Sequence, residues 1–146
     1  MELGLKDHVR FVDRYVGRVE LTKWLEAADV FVTPYPNLEQ IVSGTMSYAM
    51  GAGRAIVSTP YAYASELLAD GRGVIVPAAS PVALSAALNS LLEDPALRAM
   101  IGSRAYAHSR RMVWSAVGNA YRDLFATVAV PKAAAPPSTV RAAVGV

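Results

Sequence analysis

Apolar and polar side chains alternate along this chain in short segments of two kinds. Residues 9–15 (VRFVDRY) set Val9, Phe11 and Asp13 against Arg10, Val12 and Arg14, a period of two that predicts a short strand. Residues 20–28 place Leu21, Trp24, Leu25 and Ala28 at helical spacing and predict an amphipathic helix. VFVT at 30–33, AIVS at 55–58 and VIV at 74–76 are brief β-branched runs, each with a proline at or near its end. Runs of that kind predict strands buried on both faces.

The intervening segments read as helices. Residues 39–52 carry Ile41, Met46, Ala49 and Met50 and are stopped by Gly51 and Gly53. A short helix is expected around 64–68, before the turn Asp70-Gly71-Arg72-Gly73. Ser80-Pro81 reads as an N-cap with proline at the first helical position, followed by a helix over 82–92 with Leu84, Leu88, Leu91 and Leu92 on one stripe. Asp94-Pro95 opens a longer helical segment to about Val128, with interruptions expected near Gly102 and Gly118. Trp114 and Tyr121 share a face there, for which packing is the default expectation. Residues 131–146 are rich in alanine and proline without periodicity and read as a disordered tail beyond a domain at 1–130. Strands alternating with helices predict an α/β fold, a Rossmann-like parallel sheet flanked by helices. Such sheets bind ligands outside the carboxyl ends of their strands, which points to the loops after Thr33, Ser58 and Val76.

Composition narrows the class. Of 146 residues, 53% are hydrophobic and 18% charged, with a net charge of +2, which excludes a disordered chain. No window approaches a membrane span, and the start MELGLKDHVR is too polar for a secretory signal. The absence of cysteine excludes disulfides, thiolate metal sites and cysteine nucleophiles, and it suits a reducing, cytoplasmic setting. His8 and His108 do not share metal-ligand spacing, so no metal is assigned.

The small net charge conceals a division. Residues 1–94 hold eleven acids against seven bases, whereas 95–146 hold only Asp123 against Arg98, Arg104, Arg110, Arg111, Arg122, Lys132 and Arg141. One reading is an anionic partner, such as a membrane surface met peripherally by the basic C-terminal helix. The plainer reading is a solvated basic face. No nucleic-acid motif accompanies the arginines, so no nucleic-acid partner is expected.

The candidate chemistry lies between the first two buried strands. Ser43, Gly44 and Thr45 bring amide donors, two hydroxyls and a bare glycine to a helix start, where phosphate is favoured; simple capping explains the same residues. Just before them, Glu39 and Gln40 can hydrogen-bond vicinal hydroxyls, as sugar recognition requires.

An ordered set of motifs surrounds this segment: AADVFVTP at 27–34, AMGAG at 49–53, AIVS at 55–58, ELLADG at 66–71 and GVIV at 73–76. LGLKDHVRF at 3–11 precedes them, and Trp114 and Tyr121 follow. Together they resemble the C-terminal, donor-binding lobe of GT-B glycosyltransferases of family 4, the group 1 glycosyltransferases, over about residues 3–128. The resemblance implies transfer of a sugar from a nucleotide-sugar donor, with retention of configuration and no bound metal or cofactor. It places the donor diphosphate on Ser43, Gly44 and Thr45.

Two glutamates eight positions apart normally flank that helix start, one near the transferred sugar and one near the ribose. Counted from the AMGAG run, these positions hold Gln40, with Glu39 beside it, and Tyr48. Glu39 and Gln40 are thus the catalytic candidates and Tyr48 the ribose candidate, although one phenol lacks the bidentate capacity of a carboxylate. The family also uses an arginine and a lysine from earlier units of this lobe and an N-terminal acceptor lobe, and the chain begins past both. Little or no turnover is therefore expected from this chain alone, which reads as a truncated piece of a two-lobe enzyme.

A non-catalytic interaction module that keeps the fold without donor binding is the alternative. An unrelated receiver-like α/β domain lacks its acidic cluster and strand-end lysine. Arg54 and Arg72 lie near strand ends within conceivable reach of a phosphate, with solvated surface as the plainer reading; Glu66 stands where the family often has a glutamate, and capping or a surface ion pair explains it at least as well.

Overall fold

The computed structural model describes residues 4–128. The tail expected at 131–146 lies outside the described residues. The chain divides between Val113 and Trp114 into two compact units.

In the first unit the elements run α1 (Arg18–Ala27), β1 (Val30–Thr33), α2 (Gly44–Gly51), β2 (Ala55–Ser58), α3 (Ala62–Leu67), β3 (Val74–Ile75), α4 (Pro81–Glu93) and α5 (Pro95–Ser109), then a 3-10 turn at Arg110–Met112. The three strands form a parallel sheet in the order β1-β2-β3, with Val30 opposite Ala55, Thr33 opposite Ser58 and Ser58 opposite Ile75. This is the α/β architecture expected.

The period of two in β2 divides the core. Ile56 packs on one side with Leu25, Met46, Met50, Tyr61, Ala64 and Leu68, from α1, α2 and α3 and their flanks. Ala55 and Val57 pack on the other with Val76, Leu91 and Ile101, where α4 and α5 supply Leu84, Leu88 and Leu97. All four β2 residues are buried, whereas β1 and β3 are only partly so. The double-sided burial expected of all three strands thus holds for the central one alone, because among the described residues each outer strand has a strand neighbour on one edge only.

Caps set the helix boundaries. Ser80 and Asp94 accept from the amides of Ala83 and Leu97, with Pro81 and Pro95 in the first turns of α4 and α5. α2 ends in a pair of reverse bonds, Gly53 N–H to Met50 O at 3.0 Å and Arg54 N–H to Ala49 O at 3.0 Å. These require the left-handed backbone of Gly53, at φ +66°.

Several expectations from the sequence are corrected. Residues 9–15 form no strand, and Phe11 and Tyr15 are 88% and 89% exposed. Alternation makes a strand only where an edge is available to pair with it. The helix expected from Glu39 begins at Gly44, since Ser43 caps it and residues 39–43 stay irregular. α5 runs unbroken through Gly102, and the interruption falls at 110–113 instead. Gly102 is there for space: a Cβ on it meets the carbonyl oxygen of Gly53 well inside van der Waals contact.

The second unit contains α6 (Trp114–Val128), which continues through Gly118 and buries none of its residues. Within this unit Trp114 is 90% exposed and Tyr121 is exposed too. Tyr121 stacks obliquely on Phe125, with ring centres 6.0 Å apart. No helix among the described residues is long and apolar enough to cross a membrane.

Candidate functional site at the carboxyl edge of the sheet

The loops that leave the carboxyl ends of β1 and β2 are tied together by hydroxyls. Ser58 Oγ donates to Thr33 O at 3.1 Å, and Thr59 Oγ1 donates to Tyr35 O at 2.7 Å. The Tyr35 ring meets the buried Tyr61 edge-on, with centres 5.5 Å apart. These contacts fix the path that delivers the chain to the start of α2. The same edge carries a cleft of about 480 Å³ lined by Pro34, Pro36, Thr59, Pro77, Ser80 and Leu84, from the loops after all three strands.

At the head of α2, Ser43 is buried and serves as the N-cap, its Oγ accepting from Met46 N–H at 3.3 Å and lying 3.3 Å from Thr45 Oγ1. Gly44 and Thr45 are exposed. As the first two helical residues, they have amides without an intrahelical acceptor. A Cβ on Gly44 meets nothing within 4 Å, so an incoming group reaches the backbone there. The first turn holds no acidic residue, leaving the positive end of the helix dipole uncompensated. The structure thus brings Ser43, Gly44 and Thr45 together at an open helix start, the kind of geometry that can receive an anion.

The other candidates are placed differently. Glu39 is exposed, its amide donating to Asn37 Oδ1 at 2.9 Å in an Asx turn, which leaves the carboxylate free. Gln40 is half-buried and folds back, Nε2 donating to Val42 O at 2.7 Å. Its amide therefore braces the loop, with the side-chain oxygen still able to accept. Tyr48, one turn beyond Gly44, lines a groove of about 360 Å³ with Thr22, Glu26, Ser47 and Arg110.

Two arginines considered for phosphate are already committed to the backbone. Arg54 donates to Ala52 O, Glu26 O and Ala28 O, joining α1 to the start of β2. Arg72 donates to Leu67 O and Glu66 O and pairs with Asp70. Each lies before a strand, at the amino edge, opposite the seat. Sequence reasoning missed the Ser47–Tyr63 hydroxyl pair at 3.0 Å, which holds α2 against α3, and the cross-loop bonds of Ser58 and Thr59. Small hydroxyl residues just past a buried strand were the available signal.

Residues 1–94 match the profile of the family described as Glycosyl transferases group 1. The chain is 33% identical over 141 residues to the D-inositol 3-phosphate glycosyltransferase of Kineococcus radiotolerans, covering 90% of this chain and 32% of that protein. It is 32% identical over 125 residues to the phosphatidyl-myo-inositol mannosyltransferase of Mycolicibacterium smegmatis, covering 85% and 32%. Sucrose-phosphate synthase from Thermosynechococcus elongatus superposes with a TM-score of 0.70 at 26% identity, over 84% of this chain and 32% of that one. The chain therefore spans about a third of the length of the relatives it matches. A profile match over most of the chain, on a parallel sheet whose carboxyl edge presents an open helix start, makes this chain a member of the group 1 glycosyltransferases, with a fold like that of a GT-B enzyme.

Proposed function

We propose that this chain is the donor-binding part of a retaining glycosyltransferase, the C-terminal lobe of a GT-B enzyme of family 4. In this reading residues 1–130 form the donor domain. The head of α2 carries the proposal: a buried Ser43 cap, then exposed Gly44 and Thr45 with unclaimed amides and no acid in the turn. The diphosphate of a nucleotide-sugar rests there, Glu39 and Gln40 meet the sugar, and the Tyr48 hydroxyl meets the ribose. Amides and hydroxyls take the negative charge, so the reading assigns no metal or cofactor a role, and the nucleotide-sugar is a substrate.

Charge stabilisation at a leaving diphosphate is among the largest catalytic terms in group transfer. The chain covers a third of its relatives, and the arginines near its strand ends are engaged at the opposite edge. Donor binding without appreciable turnover is the behaviour expected of it alone, in a cytoplasmic setting.

Isothermal titration of the chain with UDP-, GDP- and ADP-sugars tests the reading, and at least one is expected to bind saturably. Gly44→Asp points a carboxylate into open space at the seat and should weaken that donor at least tenfold, about 1.4 kcal/mol. The acidic first turn should meanwhile leave the fold intact or slightly stabilised. Undiminished binding by this variant removes the phosphate assignment. Tyr48, where a carboxylate is usual, favours a second reading, an interaction module without donor binding. That reading stands if both the chain and Tyr48→Glu ignore the whole panel.

A further inference from the structure

The arginines of α5 and the turn after it divide into engaged and open ones. Arg98 donates to Leu91 O at 2.8 Å and pairs with Asp29 at 3.2 Å. Arg110 donates to Ser109 Oγ and lies 4.2 Å from the centre of the Tyr106 ring. Arg104 and Arg111 make neither an ion pair nor a side-chain hydrogen bond among the described residues. Arg104 and His108, four apart on α5, line one concavity together with Arg111 from the 3-10 turn.

This shallow concavity of about 380 Å³ is lined by Asp70, Arg72, Arg104, Ala107, His108 and Arg111. Asp70 and Arg72 precede β3, so the concavity lies at the amino edge of the sheet, opposite the head of α2. Three arginines face a single carboxylate, Asp70, already bonded to Arg72 at 2.7 Å. Arg72 spends its remaining donors on Leu67 O and Glu66 O, contributing charge but few free N–H groups. Arg104 and Arg111 keep their donor forks open.

The field is felt by His108, whose pKa is held below the usual imidazole value. Partial burial is the main cause, then Arg72 and Arg111, with Asp70 and Glu66 pulling weakly the other way. The helix dipole favours cations in the last turn of α5 but does not extend back to Arg104, which is drawn over the backbone of Gly71.

We propose that this concavity binds a phosphate monoester, held by the guanidinium forks of Arg104 and Arg111 with the His108 imidazole as a third donor. The excess of guanidinium over carboxylate favours an anion, and two planar forks can grip the several oxygens of a phosphate, where a carboxylate offers only two. The group can belong to a soluble metabolite or to a lipid headgroup.

The test uses the whole chain, with glycerol phosphate as the soluble probe and vesicles of phosphatidylcholine with or without phosphatidic acid. Glycerol phosphate should move the His108 ring resonances saturably and raise the apparent pKa of His108, leaving His8 as an internal reference. The double variant R104Q/R111Q, altered only at exposed side chains, should bind at least tenfold more weakly. The double variant K6Q/R10Q, with the same loss of charge elsewhere, should change affinity less than twofold. Tighter binding to phosphatidic acid vesicles than to glycerol phosphate identifies a lipid source, and the reverse a soluble one. The proposal fails if neither probe shifts His108, or if both double variants weaken binding alike.

Discussion

Gly102 and Gly118 both lie inside helices, yet alanine should act on them with opposite sign. A Cβ at Gly102 runs into the Gly53 carbonyl, with the carbonyl carbon at 3.1 Å and the Ala55 amide nitrogen at 3.6 Å. These are backbone atoms in the turn between α2 and β2, fixed by the bonds from Gly53 and Arg54 to the last turn of α2. They cannot rotate aside as a side chain would. Overpacking costs about 1–3 kcal/mol, and rigid backbone places this case at the upper end. The better helix propensity of alanine returns about 1 kcal/mol, for a net loss of about 2 kcal/mol. At about 2–4 °C per kcal/mol, Gly102→Ala should melt about 4–8 °C lower. A Cβ at Gly118 meets nothing within 4 Å, so Gly118→Ala gains propensity alone and should raise helical signal without lowering the midpoint. Thermal melts by circular dichroism, run on both variants beside the parent, decide the matter. If Gly102→Ala melts at or above the parent, the close approach of α5 to the Gly53 turn is refuted.

Three further outcomes are expected. Ser43→Ala removes the acceptor from the Met46 amide and should cost about 1 kcal/mol, read as a midpoint about 2–4 °C lower. Tyr48→Glu offers a ribose diol a charged acceptor worth about 1.5 kcal/mol, so titration should show about tenfold tighter binding of the preferred nucleotide-sugar. His108 titrates below the usual imidazole value in the folded chain, so its contribution is fully present above that value. The contribution is lost as the pH falls through the folded pKa. Denaturant melts between pH 7 and 5 should show this decline, and His108→Gln should flatten it.

The three strands were legible because each is a β-branched run with a proline at or near its end, and α4 because Ser80-Pro81 and a leucine stripe define it. The false strand at 9–15 shows what local alternation lacks, since pairing is a property of a neighbour rather than of the segment. Gly102 misled for a related reason. Its sequence signature is a helix breaker, but its cause is a carbonyl about fifty residues away. The candidate anion seat was readable as Ser-Gly-Thr after a strand. That Gln40 turns back onto Val42, and that Tyr48 faces a groove with Arg110, was not.

By itself the sequence determined the three short strands, the leucine-striped α4 with its Ser80 cap and the segment that opens α2, because each depends on residues a few positions apart. The ordered motifs likewise carried the family resemblance. Tertiary structure alone decided which arginines are available, since Arg54 and Arg98 look as free as Arg104 and Arg111 until the Glu26 and Ala28 carbonyls and the Asp29 carboxylate engage them. A charge is written in the chain, but whether it faces a partner or a ligand depends on what folding places beside it.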